Sequence, residues 1–164
     1  MIAKTFNLLV IVYLSTNTGV DASQEIMKTM TLTFTKGLDA CKKEMDLPDT
    51  VDVDFNNFWK EDYVVTNRDA GCAIVCLASK INLVDSMGIL IHGSAHEFAK
   101  QHGADDNMAK QLSDTLHTCE TIIGTGNDEC TRALHVANCF KVEMHKLDWA
   151  PSMDLIIGEL LAEI

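Results

Sequence analysis

Apolar residues recur at spacings of three and four along most of this 164-residue chain. That is the period of helices with one buried face. Met27, Met30, Phe34, Leu38, Cys41 and Met45 form the first stripe, over residues 23–45. Thr31, Thr33, Thr35 and Gly37 weaken its middle and predict a kink or break there. Leu47-Pro48-Asp49 ends it, because proline cannot continue the hydrogen-bond ladder. Residues 50–59 predict a second, short helix with Phe55, Phe58 and Trp59 near its end, and 60–66 read as a loop.

Asn67, with Asp69 two residues on, predicts the start of a third helix reaching about Leu83. Its centre, Gly71-Cys72-Ala73-Ile74-Val75-Cys76-Leu77-Ala78, is almost wholly apolar. Two cysteines four apart stack on one helix face, so they suit two other segments better than each other. Residues 84–93 hold two glycines without a clear period and read as a loop. Ser94-Ala95-His96-Glu97 has the pattern of a capping box for a short helix that Gly103 stops. Asp105 caps the next helix, with Met108, Leu112, Leu116, Cys119 and Ile123 on one stripe. Gly124-Thr125-Gly126 breaks the chain, and Asn127 or Asp128 caps a last long helix that turns Ala133, Val136, Ala137, Phe140, Met144 and Leu147 inward. No strand, repeat or linker is signalled.

The chain's start reads differently. Lys4, an apolar run over 6–14 and Val20-Asp21-Ala22 predict a secretory signal peptide over residues 1–22, cut after Ala22. The run falls short of the roughly 20 apolar residues a membrane span needs. Residues 23–164 then make one domain, long enough for a sizeable core. The formal net charge of −11 argues against nucleic acid and anionic membrane surfaces as partners.

Six cysteines spaced C-x30-C-x3-C-x42-C-x10-C-x8-C lie in that domain. In an exported chain they predict three disulfides, and no Cys/His knuckle suggests zinc. Cys130 and Cys139 point to opposite sides of one helix. That geometry favours Cys119–Cys139 across the turn before them, with Cys72 and Cys76 shared between Cys41 and Cys130.

The cysteine spacing resembles that of insect odorant-binding proteins. Phe58-Trp59-Lys60-Glu61, Asn67-Arg68, Gly71-Cys72-Ala73-Ile74, Glu97-Phe98-Ala99, His102-Gly103-Ala104-Asp105, Cys139-Phe140-Lys141, His145-Lys146-Leu147 and Trp149-Ala150-Pro151-Ser152-Met153-Asp154 are similar to moth pheromone-binding proteins. The resemblance implies an all-α fold of six to seven helices around an apolar cavity, stapled by Cys41–Cys76, Cys72–Cys130 and Cys119–Cys139. It implies a secreted, non-enzymatic carrier of the antennal sensillum lymph. Such a carrier solubilises a small hydrophobic volatile, a long-chain aliphatic acetate, aldehyde or alcohol, and delivers it towards an olfactory receptor or neuron membrane. It needs no cofactor and no metal, and a pH-dependent homodimer is a further implied partner. Implied ligand-wall positions are Phe34, Phe58, Trp59, Ile74, Val75, Ala78, Phe98, Leu116 and Phe140, with ordinary core as the bland alternative; Arg132 or a backbone group is a candidate contact for the ligand's polar end, and a solvated helix residue is the other reading of Arg132. Val75 and Ala78 are apolar where some members place a hydrogen-bonding side chain, which favours an acetate or aldehyde over an alcohol.

The last residues, 152–164, resemble a release tail. Wound as a helix, Met153, Ile156, Ile157, Leu160, Leu161 and Ile164 share a face flanked by Asp154, Glu159 and Glu163. Charged carboxylates resist entry into an apolar cavity, and protonated ones resist far less. The resemblance makes His92 and His117 the switch histidines, with Ile91 standing where a second ring is found beside His92. His96, His102, His135 and His145 read as capped or exposed polar residues. Other classes are weaker. No G-x-S-x-G, no glycine-rich calcium loop and no adjacent Cys-Cys pair points to a secreted hydrolase. The cysteines also lack the paired C-x-x-C ends of a saposin-like module. A general odorant carrier for plant volatiles, or another secreted lipid or hormone carrier, is the remaining alternative.

Overall fold

The computed structural model describes residues 18–162, and all regular structure in that range is helical. In chain order the helices are α1 (Thr18–Thr35), α2 (Leu38–Met45), α3 (Thr50–Asn57), α4 (Arg68–Lys80), α5 (Ser94–Gln101), α6 (Asp106–Ile123), α7 (Glu129–Lys146) and α8 (Met153–Ala162). The first two are halves of the helix the apolar stripe predicts, broken at Lys36-Gly37. Counted as one, they leave seven helices. Past the break Cys41 is still fully buried, whereas Met45, at the end of α2, is 40 % exposed rather than inward. Residues 1–17 of the expected leader lie outside the described residues, and α1 already begins at Thr18, upstream of the expected cut.

Four helices end the same way. The N–H groups of Leu47, Leu83, Ala104 and Trp149 each reach back five residues, to the carbonyls of Lys42, Ala78, Ala99 and Met144. Each closure follows a left-handed residue: Asp46, Asn82, Gly103 and Asp148. Asp and Asn tolerate that conformation better than other side chains, so glycine is not required. The closures throw an apolar residue back onto the helix just left. This shortens α4, which stops at Lys80 instead of continuing to Leu83.

The helix starts divide. Asn67 accepts from Asp69 N–H, Asp105 from Met108 N–H, and Asp128 from Thr131 N–H, as N-caps do. Ser94 does not close a capping box. The cap position is Gly93, with φ of 84°, and the Ser94 hydroxyl donates to the Leu83 and Ile91 carbonyls instead. A glycine that enters the left-handed region leaves the serine inside the helix, free to anchor the preceding loop.

Asp128 also ties α7 to α4. It accepts from Thr131 Oγ1 at 2.7 Å and from Arg68 Nη2 at 2.7 Å. These partners, the hydroxyl first, hold its carboxyl down at about 2. A depressed carboxyl stabilises the fold above the ordinary aspartate range near 4, and that support is lost as pH falls from about 4 towards 2. Asp128→Ala is therefore expected to lower the neutral-pH melting temperature by a few degrees. The difference from the parent should shrink in strong acid, read by melting followed by circular dichroism.

Three disulfides staple the fold: Cys41–Cys76 joins α2 to α4, Cys72–Cys130 joins α4 to α7, and Cys119–Cys139 joins α6 to α7. Helix α4 carries two of them and packs most extensively on α7. Their crossing is tight, with Cys72 and Cys130 Cα atoms 4.4 Å apart. Gly71 allows this, because a Cβ there would sit 2.1 Å from the Cys130 carbonyl oxygen. The main core gathers Met27, Met30, Met108, Leu112 and Met144 from α1, α6 and α7, with Trp59 from just after α3.

An apolar cavity as candidate functional site

The bundle is not solid. Between α1, α3, α4, α5, α6 and α7 lies a cavity of about 220 Å³, measured as the space open to the centre of a water-sized sphere. Its wall includes Phe34 from α1, Phe58 and Trp59 after α3, Ile74, Val75 and Ala78 from α4, Phe98 from α5, Leu116 from α6, and Arg132 and Phe140 from α7. All ten ligand-site positions expected from the sequence thus face one space. Phe58 and Trp59 meet edge to face with ring centroids 5.0 Å apart.

The wall also holds residues not singled out from sequence as ligand positions: Met27, Met30, Thr31, Thr35, Asp54, Glu120, Ala133 and Val136 among them. The polar ones are occupied by the protein itself. Thr31 Oγ1 donates to the Met27 carbonyl at 2.8 Å and accepts from Trp59 Nε1 at 3.0 Å. Thr35 Oγ1 donates to the Thr31 carbonyl at 3.0 Å. The threonines that weaken α1 on propensity therefore bond back to their own helix, as mid-helix threonines do. Asp54, buried, accepts from Tyr63 Oη at 2.7 Å and Asn67 Nδ2 at 3.0 Å. The Asp54 hydrogen bond, more than burial, pushes the Tyr63 phenol up. Glu120 Oε1 accepts from Leu90 N–H at 2.8 Å. Arg132, only 7 % exposed, donates to the Met87 carbonyl at 2.5 Å and to that of Asn127 at 3.5 Å. It is not a solvated helix residue.

Two connections form the cavity's rims. Residues 81–93 fold over it through an isolated β-contact between Val84 and Leu90, a turn held by the Asp85 carboxylate, and the Glu120 and Arg132 bonds. His92 stands on this rim, facing His117 of α6 with ring centroids 5.8 Å apart. His117 Nδ1 lies 3.8 Å from Glu120 Oε2, and its buried Nε2 has no hydrogen-bond partner among the described residues. The opposite rim, 58–66, is gripped by α7. Asn138 bonds both the N–H and the carbonyl of Val65, Lys141 Nζ donates to the carbonyls of Lys60 and Tyr63, and His145 Nε2 meets the Trp59 carbonyl at 2.9 Å. His145 is thus neither capped nor free. His102 Nδ1 bonds the Phe98 carbonyl at 2.7 Å, and His135 is exposed.

Helix α8 contributes nothing to the cavity wall among the described residues. Met153 and Ile156 pack against the main core, α8 rests on α1, and Asp154 and Ile157 face solvent. Glu163 and the side chain of Glu159 lie outside the described residues. Among the described residues no His/Cys/Asp/Glu cluster is arranged to hold a metal.

A family model described as the PBP/GOBP family matches residues 23–143. The chain is 53 % identical to pheromone-binding protein 2 of Epiphyas postvittana over 161 residues, 98 % of both chains. It is 32 % identical to general odorant-binding protein 2 of Heliothis virescens, covering 91 % of this chain and 92 % of that one. The crystal structure of Epiphyas postvittana pheromone binding protein 3 aligns with a TM-score of 0.62 and 45 % identity, over 68 % of this chain and 95 % of that one.

Proposed function

This chain belongs to the PBP/GOBP family, and from that premise we propose that it is an extracellular carrier of long-chain aliphatic pheromone components. The single observation that carries the reading is the cavity. Its wall is aromatic and aliphatic, and each polar side chain in it is already bonded to protein. An apolar chain loses nothing by entering such a space, whereas a sugar or peptide would leave its own polar groups unmet. About a dozen methylenes at about 0.8 kcal/mol each give roughly 10 kcal/mol gross. Association and ordering costs leave an affinity in the micromolar to submicromolar range, about −8 kcal/mol or somewhat stronger.

Val75 and Ala78 bring no hydrogen-bonding group to the wall, so the ligand's polar end is an acceptor, an acetate or aldehyde, near Arg132. The higher identity to a relative called pheromone-binding than to one called general odorant-binding favours a pheromone over a plant volatile. Three disulfides suit an oxidising, extracellular compartment such as sensillum lymph, and no described helix is long and apolar enough to cross a membrane. In this reading residues 1–22 are a leader, 23–164 the binding domain, and the loaded protein carries its cargo towards olfactory receptors. A competition panel of long-chain acetates, aldehydes, alcohols and plant volatiles tests it. Long-chain acetates or aldehydes should bind most tightly, and equal affinity for small plant odorants would demote the pheromone reading.

Release follows from the same site. Histidine is the side chain that changes charge between neutral and mildly acid pH. Charge on both rings would set like charges against each other at the His92–His117 contact, 5.8 Å between centroids, with the Glu120 carboxylate beside His117 as the one opposing charge described there. Such a contact would loosen the 81–93 rim, and the apolar face of the tail is the segment of this chain suited to take the ligand's place. With the tail competing for the cavity, affinity should fall at least about tenfold between pH 7 and pH 5. Removing residues 152–164 should keep the ligand bound at pH 5. A truncated protein that loses ligand in acid like the full chain would sink the tail mechanism.

A further inference from the structure

Lys141 is the largest fully buried side chain described, only 1 % exposed, yet it ends in an ammonium. Its partners are the Lys60 and Tyr63 carbonyls, not carboxylates, and the charge of Asp62 acts on it only from a distance. Burial pushes its pKa down. A leucine or methionine would fill the same space without desolvating a charge. What a hydrocarbon could not do is satisfy those two carbonyls.

Asn138, Lys141 and His145 are spaced three and four apart, so they form one stripe of α7. All of the stripe's bonds described above go to the backbone of residues 59–65. The neighbouring stripe of the same helix, Ala133, Val136, Ala137 and Phe140, lines the cavity. The gripped segment carries Phe58, Trp59 and Val65, which also line the cavity. One helix therefore both supplies part of the wall and holds the segment that presents the aromatic pair.

Taking the carrier reading as given, we propose that the α7 stripe centred on Lys141 positions the Phe58–Trp59 wall and thereby sets which chain length the cavity accepts. Lys141 touches the loop, not the ligand, and acts through Trp59. Amide, ammonium and imidazole N–H donors all keep bonding to a carbonyl when acid is added.

The test is a length ladder of unbranched acetates, measured at pH 7 by competition against an environment-sensitive apolar fluorophore on the full, disulfide-bonded chain. Lys141→Met keeps an unbranched stem and removes only the donors. The ratio of affinities between the best length and one two methylenes shorter should fall by about fivefold or more, since a methylene is ordinarily discriminated about 10–200-fold. In a Trp149→Phe background, Trp59 emission should shift to the red. Lys141→Arg, whose guanidinium can reach two carbonyls, should restore both readouts. Asn138→Ala should flatten the ladder in the same direction, and it decides the matter if Lys141→Met does not fold. A parental ladder and parental Trp59 emission in a folded Lys141→Met, or in Asn138→Ala in its place, would overturn the proposal. A parent protein that binds no acetate at all would instead overturn the carrier reading on which it rests.

Discussion

Replacing Gly71 by alanine is expected to destabilise the protein by at least about 3 kcal/mol and lower its melting temperature by roughly 10 °C. The direction is opposite to what helix propensity alone gives, since glycine to alanine inside a helix ordinarily gains up to about 1 kcal/mol. The reason is the α4–α7 crossing. A methyl at 71 would stand 2.1 Å from the Cys130 carbonyl oxygen and 3.1 Å from Leu134 Cβ. These are backbone and a first side-chain carbon, which cannot swing aside. The helices must separate, and with them Ile74, Val75 and Ala78 on one side of the cavity and Ala133, Val136 and Ala137 on the other. Ligand affinity should fall together with stability. Thermal unfolding with and without ligand checks both, and an unchanged melting temperature would mean that α4 and α7 do not touch there.

Removing the Cys72–Cys130 bridge, as Cys72→Ser with Cys130→Ser, is the second large effect expected. This bridge closes the longest of the three loops, with a sequence separation of 58 against 35 and 20. In the chain-entropy account it contributes about 4 kcal/mol, the shortest loop closer to 3. The pair is also the covalent clamp on the crossing that Gly71 permits. Adjacent changes at one contact do not add. In the serine pair, therefore, Gly71→Ala should cost less than it does in the parent, because the helices are free to move apart. Urea unfolding of the four proteins in this cycle measures the coupling, and strict additivity would contradict the shared crossing.

The helices and the cavity wall were largely legible in the sequence. Spacings of three and four located the inward stripes of α1, α6 and α7, the wall positions came from the family resemblance, and N-caps at Asn67, Asp105 and Asp128 stand where their side chains suggest. What the sequence hid was set by backbone conformation or by distant partners. Ser94-Ala95-His96-Glu97 fits a capping box letter by letter, yet Gly93 takes the cap position. Asn82 and Asp148 end helices as glycine would, but nothing local distinguishes them from solvated residues. Met45 belongs to the first stripe by spacing but is the last residue of its helix, where the buried face ends. Lys141 reads as an exposed lysine between Phe140 and Val142, because its carbonyl partners lie about 80 positions earlier in the chain.

Disulfides bind α2, α4, α6 and α7 into one covalent frame, while α1, α3, α5 and α8 carry no disulfide. Sulfur–sulfur bonds do not titrate. In the proposed acid release, unseating the contact-held parts would leave the frame's connectivity untouched, and a return to neutral pH would find it already assembled. Discharge and refilling would then need no new round of folding.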